Sequence, residues 1–220
     1  MAKRKLRNFA ELETFPNVIQ HMYKEENSDH PLKGKWAKEF FKNDLPITLE
    51  LGCGKGEYSV ALARKHPERN YLGIDIKGNR MWRGAKTAIE EGMTNVGFLR
   101  TQVDRVLNFF APSEISEIWV TFPDPKPNKG DARKRLTSFE NNERYRQILI
   151  PGGTVNLKTD SVFNVDFTLE TIKANNYKIA RLSHDIDKDF PGEELMQIRT
   201  YYEMKFREKG IPIHYISWTL

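Results

Sequence analysis

Residues 47–56 read I-T-L-E-L-G-C-G-K-G. A short apolar run that stops at a glycine cluster reads as a buried strand turning sharply out of a sheet. Tyr58–Lys65 follows with helical spacing, and Pro67 closes it. The glycines therefore lie between a strand and a helix, the setting of a nucleotide-type loop. Their spacing is G-x-G-x-G, not the G-x-G-x-x-G of dinucleotide binders. No G-K-[ST] follows, which excludes a phosphate-cradling P-loop.

The alternation continues on the C-terminal side. Y-L-G-I-D (71–75), V-G-F-L-R (96–100), I-W-V-T-F (118–122) and T-V-N-L-K-T (154–159) read as strands. Helical stretches separate or follow them at Arg80–Glu91, Val103–Phe110, Ser138–Ile150 and Val162–Asn175. Y-K-I-A-R-L-S (177–183) and I-H-Y-I-S-W (213–218) are β-rich, with helix-compatible Tyr201–Lys209 between them. Alternating β and α elements predict an α/β fold. The expected architecture is a Rossmann-like, mainly parallel seven-stranded sheet flanked by helices, with an antiparallel C-terminal edge.

On the N-terminal side, residues 1–45 read as an arm with a basic tip (Lys3, Arg4, Lys5, Arg7) and helix-compatible stretches over Asn17–Tyr23 and Gly34–Lys42. The expected organisation is one domain over 1–220, with the arm before a core at 46–220. A chain of 220 residues with 39% hydrophobic and 11% aromatic residues can bury a sizeable core, which excludes disorder as its main state. No run approaches the ~18 apolar residues of a membrane span, so no membrane partner is expected. Cys53 is the single cysteine, and the five histidines are scattered. That excludes an internal disulfide framework and a structural zinc site, and no metal is expected. The charged N-terminus lacks the apolar stretch of a secretory leader, which makes the cytoplasm the expected compartment. Monomer and homodimer both stay open.

Charged residues then narrow the chemistry. Asp75 ends the second strand and Asp104 follows the third. In open α/β sheets the carboxyl ends of strands face the ligand, and an acid after the second strand can accept both ribose hydroxyls. Glu50 adds a carboxylate beside the glycine loop. Such acids disfavour a pyrophosphate and favour a cationic ligand. S-adenosyl-L-methionine, with its ribose, adenine, ammonium and sulfonium, fits. Taken alone, Asp75 reads equally as a helix cap.

After the fourth strand comes F-P-D-P-K-P-N-K-G-D-A-R-K-R-L (122–136). Prolines stiffen this loop, and Asp124 falls at a strand end. The basic residues behind it suit phosphate contacts, although a solvated charged loop is the bland alternative. A net charge of +5 hints only mildly at a polyanionic partner.

E-L-G-C-G-K-G (50–56), G-I-D (73–75), F-P-D-P (122–125), K-R-L-T (134–137), K-T-D (158–160) and T-Y-Y-E-M-K-F (200–206) occur in that order. Together they resemble the bacterial tRNA (guanine-N(7)-)-methyltransferase family over about residues 47–218. The glycine loop is shared by most methyltransferases. F-P-D-P before a basic run, with the late T-x-Y-E-x-K-F, is specific.

The resemblance implies methyl transfer from S-adenosyl-L-methionine to a guanine N7 in the tRNA variable loop. It implies donor binding by Glu50, Gly52, Gly54, Asp75, Asp104 and Asp124, with Asp124 also catalytic. Substrate and RNA contacts fall on Asn128, Lys129, Gly130, Asp131, Ala132, Arg133, Lys134 and Arg135, and on Asp160, Thr200, Tyr201, Tyr202 and Glu203. The family's usual D-P-W-x-K is altered here. Lys126 stands where Trp is common, and the substrate lysine falls on Asn128, so Lys126 or Lys129 takes its place.

The rivals are a methyltransferase of another RNA base or of protein, a nicotinamide-dependent dehydrogenase, and an RNA-binding module without turnover. Enzymes that methylate adenine amino groups tend to carry N-P-P-Y-like loops, unlike F-P-D-P. The glycine spacing counts against a dehydrogenase. The intact set of acids counts against a decayed donor pocket.

Overall fold

The first strand of the sequence reading, Ile47–Leu51, is buried at every position, as a strand covered on both faces requires. In the computed structural model, which describes residues 2–21 and 28–220, the chain forms two units, Met1–Ala111 and Pro112–Leu220.

In the first unit, α1 (Ala2–Glu13) and β1 (Val18–Gln20) precede a π-helical turn at Trp36–Phe41. Then β2 (Ile47–Leu51), α2 (Glu57–Lys65), β3 (Asn70–Asp75), α3 (Gly78–Glu90) and β4 (Val96–Arg100) alternate as expected. A 3-10 turn (Val103–Arg105) leads into α4 (Val106–Phe109). The strands lie in the order β1-β4-β3-β2, all parallel. That leaves the loops after β2, β3 and β4 at one end of the sheet, where ligands of such folds sit.

One element of the arm differs from its reading. Residues 18–20 form a strand, not a helix, and residues 22 and 23 of that stretch lie outside the described residues. Val18 and Ile19 are β-branched, which suits a strand, and the open edge of β4 supplies partners. The N–H of Phe98 donates to Asn17 O at 2.9 Å, and that of His21 to Arg100 O at 3.1 Å. The preceding α1 lies against α3. Trp82 Nε1 donates to Glu11 Oε2 at 2.8 Å, and Asn8 Nδ2 to Asn79 Oδ1 at 3.0 Å.

The second unit holds β5 (Ile115–Thr121), a 3-10 turn (Lys129–Lys134), α5 (Phe139–Ile148), β6 (Leu149–Thr159) and α6 (Val162–Ala174). These are followed by β7 (Lys178–Ser183), the short α7 (Ile186–Asp189), a 3-10 turn (Glu194–Gln197), α8 (Tyr201–Arg207) and β8 (His214–Thr219). Here β5 and β6 are parallel, and β8 lies antiparallel between β6 and β7. The antiparallel C-terminal edge is as expected; β1 adds an eighth strand to the seven read from sequence.

The strand expected from Thr154 begins five residues earlier, at Leu149. Pro151 and the two glycines are carried inside it, opposite a register shift between Ile115 and Glu117, the usual way a strand absorbs poorly pairing residues. Three helices start on hydroxyl caps that satisfy an otherwise unpaired N–H. Ser138 Oγ accepts from Asn141 N, Ser161 Oγ from Asn164 N and Thr200 Oγ1 from Glu203 N. Trp36, Trp119 and Trp218 are buried.

Candidate active site

Among the residues of the first unit, the glycine loop is fixed by its neighbours on β3. The N–H groups of Gly52 and Cys53 donate to Ile74 O at 2.8 and 3.0 Å. The N–H of Gly54 donates to Asp75 Oδ2 at 2.9 Å, while Asp75 Oδ1 accepts from Lys77 N at 2.7 Å. One carboxylate thus ties the loop after β2 to the turn that starts α3. Hydrogen bonds to a charged group stabilise by about 1.5–3 kcal/mol each.

Two of the glycines are required for different reasons. Gly56 has φ +70°, and a Cβ there would meet Phe98 Cε1 at 2.4 Å. Gly54 has φ +56°, and a Cβ there would meet nothing nearer than Gly52 O at 4.0 Å. Gly56 is hemmed in by the core; Gly54 faces open space.

Glu50 is buried, and its Oε2 accepts Ser59 N at 2.9 Å and Ser59 Oγ at 2.5 Å. It therefore anchors the first turn of α2, where a negative charge is favoured by the helix dipole. Asp104 lies exposed on the turn after β4. Cys53 is buried; burial first, and then the charges of Glu50 and Asp75, push its thiol well above the usual range. A neutral thiol is a poor nucleophile, and Cys53 packs here as a small buried residue. The sequence reading missed Ile76, which is 41% exposed directly after Asp75 and offers apolar surface at the same strand end.

These residues fit S-adenosylmethionine. The open face at Gly54 admits close approach of a ligand to the backbone. A carboxylate offers about four acceptor positions, so Asp75 retains capacity for hydroxyls beyond its two backbone partners. The acids suit a cation better than a pyrophosphate. Among the described residues no group of His, Cys, Asp and Glu could hold a metal ion, and no helix is long and apolar enough to cross a membrane.

In the second unit, F-P-D-P forms a corner that its neighbours hold in place. Phe122 and Lys126 adopt left-handed backbone, with φ 47° and 45°, at about 1–3 kcal/mol of strain each. The N–H of Phe122 donates to Lys158 O at 2.8 Å, and Asn164 Nδ2 donates to Pro123 O at 3.1 Å. Phe122 stacks on Phe206 of α8 at 6.0 Å. Between the two strained residues, Asp124 is exposed, with Oδ1 3.4 Å from Lys126 N.

The basic run divides into two kinds of residue. Arg135 is only 8% exposed. Its Nε and Nη2 donate to Lys126 O, both at 3.1 Å, and its guanidinium lies over Phe167 and Phe163 at 4.3 and 4.7 Å. It staples the loop. Asn128, Lys129, Gly130 and Arg133 are exposed, and Asp131 and Ala132 partly so. Arg133 pairs with Glu140, while Lys134, also exposed, pairs with Asp131 at 2.8 Å. Lys126 reaches back to Lys134 O at 3.0 Å.

Asp160 follows β6 and is half-buried, which pushes its carboxyl up. Thr200 caps α8, and Tyr201 and Tyr202 are 40% and 44% exposed on its first turn. Glu203 is fully buried. Its Oε2 lies 2.9 Å from Lys158 Nζ and its Oε1 accepts from Arg207 Nε at 2.9 Å. The directed hydrogen bonds of Lys158 Nζ run to Met196 O and Ile198 O, at 3.2 and 2.8 Å, so its approach to Glu203 is chiefly ionic. Lys158 is 0% exposed, a burial lysine tolerates only when paired. Desolvation lowers its ammonium pKa and Glu203 opposes the shift. Of this network, sequence pointed to Glu203 alone; the four-residue spacing from Glu203 to Arg207 on one helix was the available signal.

The fold is that of a methyltransferase. A solved 16S rRNA methyltransferase, KamB, superposes with TM-score 0.62 at 16% identity, over 90% of this chain and 96% of that one. A S-adenosylmethionine-dependent methyltransferase from Aquifex aeolicus gives 0.55 at 12% identity, over 86% and 93%. A family model described as a putative methyltransferase matches residues 44–216. The tRNA (guanine-N(7)-)-methyltransferase of Christiangramia forsetii is 50% identical, over 100% of this chain and 99% of that protein. That of Bacteroides fragilis is 45% identical, over 100% and 87%. The chain belongs to the tRNA (guanine-N(7)-)-methyltransferase family.

Proposed function

We propose that this protein methylates N7 of a guanine in the variable loop of tRNA, with S-adenosylmethionine as donor. The observation that carries the reading is the match along the whole chain to relatives of that name, at up to 50% identity. The glycine loop and its acids support it, as do F-P-D-P and the Thr200–Glu203 turn. The first unit carries Glu50, Gly52, Gly54, Asp75 and Asp104 for the donor. The second carries Asp124, Asp160 and the exposed residues of 128–134 for the acceptor. All of them fall in the core read as 46–220, after the basic arm at 1–45. A cytoplasmic site of action goes with a tRNA substrate.

The chemistry asks for alignment more than for proton transfer. S-adenosylmethionine supplies an electrophilic methyl on a sulfonium. Guanine N7 already has an available lone pair in the major groove, so no base is required before attack. Orienting two reactants can contribute ~7–11 kcal/mol. Methylation leaves the purine cationic, and a fixed carboxylate near it stabilises the developing charge. Asp124 takes that role by gripping N–H groups on the opposite edge of the base; its exposed carboxylate on a stiff corner suits it. Tyr201 and Tyr202 offer aromatic faces on which a flipped-out base can stack.

The test is transfer of labelled methyl to unmodified tRNA transcripts with and without the variable-loop guanine. DNA and protein serve as control acceptors. The expected product is 7-methylguanosine on the guanine-bearing transcript alone. Label on another base or on protein would discard the substrate. Donor binding with no labelled acceptor would make the chain a binding module.

A further inference from the structure

We infer that Lys158 is a positioning residue that ties the F-P-D-P corner to the Thr200–Glu203 turn. The inference rests on the reading of these two segments as acceptor machinery. Lys158 sits one residue before the end of β6 and engages both segments at once. Its carbonyl accepts the N–H of Phe122 at 2.8 Å, fixing the start of the corner that carries Asp124. Its ammonium holds Met196 O and Ile198 O, the backbone leading into α8, and lies 2.9 Å from Glu203 inside α8.

The two held segments also meet directly, where Phe122 stacks on Phe206. Arg207 closes the arrangement by pairing with both Glu203 and Asp187. Lys158 is two residues from Asp160 on the same strand end, so three candidate acceptor groups share one anchor.

A buried lysine–glutamate pair is not demanded by stability as such, since apolar replacements of a whole buried ion pair are often tolerated. What an apolar residue cannot do is bind two carbonyls and a carboxylate together. Lys158 touches no reacting atom. It acts by setting where Asp124, Thr200 and the tyrosines stand.

The test compares Glu203→Gln, Lys158→Met and the double variant with the wild-type protein. Lys158→Met alone leaves Glu203 buried without its lysine and is expected to fold poorly. The double variant removes both charges of the pair. It also loses the two carbonyl ties and the partner of Arg207, so it should melt below the wild type but above Lys158→Met, and bind S-adenosylmethionine unchanged. Its kcat/KM for tRNA should fall about 10²-fold, mostly in kcat, the scale of a misplacement of ~1 Å. Glu203→Gln alone, which keeps the two carbonyl ties, should lose less.

A folded double variant with wild-type kcat and KM overturns the inference. So does a Glu203→Gln variant as impaired as the double, or a loss that follows donor affinity. If the double variant does not fold, hydrogen exchange on the wild-type protein decides. Amides of 198–203 exchanging at the rate of an open loop overturn it, and slow exchange together with Phe122 supports it. A wild-type protein that labels no tRNA defeats the functional reading instead.

Discussion

Asp75 accepts the N–H of Gly54 at 2.9 Å, so the acid read as a ribose ligand also builds the loop beside it. Replacing it with Ala removes both backbone ties of the carboxylate. At about 1.5–3 kcal/mol per charged hydrogen bond, donor affinity should weaken by at least ~10-fold, read by calorimetry with S-adenosylmethionine. Unchanged affinity would remove Asp75 from the donor site.

Gly54 and Gly56 separate binding from folding. Gly56→Ala meets the Phe98 ring and a left-handed backbone together. It should lower the melting temperature sharply, with overpacking adding ~1–3 kcal/mol to the backbone strain. Gly54→Ala carries the strain alone, about 1–2 kcal/mol, and should mainly reduce donor affinity. Equal melting temperatures for the two variants would contradict this division.

Asp124→Ala should cut single-turnover methyl transfer by about 10²–10³, the effect of losing one electrostatic stabiliser. Near-normal turnover would sink its role.

Arg133 and Arg135 should differ despite their proximity in sequence. Arg133 is exposed, so Arg133→Ala should reduce the slope of log affinity against log salt by about 1, with the fold intact. Arg135→Ala should loosen the loop, lowering stability and turnover. Indistinguishable salt slopes and melting curves for the two would count against the staple.

His214 is buried, 5.9 Å from the His184 ring. Burial holds its pKa below the ordinary value; a hydrogen bond to the His184 backbone, then Asp160 and Asp185, pull the other way, while the charge of His184 opposes its charging. A folded-state pKa below the unfolded ~6.5 means that the unfolded chain takes up the proton first as pH falls. The stability contributed is therefore complete above pH ~6.5 and is lost below it. Melts at pH 7.5 and 5.5 should show this drop in the wild type and a smaller one in His214→Phe.

Much of the fold could be read because its strands announce themselves. Ile47–Leu51 and Tyr71–Asp75 are apolar runs stopped by glycine or an acid, and burial on both faces allows little else. Val18–Gln20 could not be read, since three residues show no period and their partner lies far along the chain. The start of β6 was hidden by Pro-Gly-Gly, which punctuates most strands and is absorbed here by a bulge. Within the candidate site, the acids proposed for donor and acceptor could be placed at strand ends from sequence. The supports were not. Lys158 reads as one polar residue in a strand until Glu203, Met196 and Ile198 arrive from distant sequence, and nothing in the basic run announces the stack of Arg135 on Phe163 and Phe167.

Strand order also sets an order in time. β7 pairs with β8 alone, and β8 is made after every other strand. In the first unit, β1, β3 and β4 find all their partners within residues 18–100. On the ribosome, the first unit can therefore take shape while β7 still waits, unpaired, for residues 214–219. A nascent chain halted before them would expose a strand edge open to aggregation.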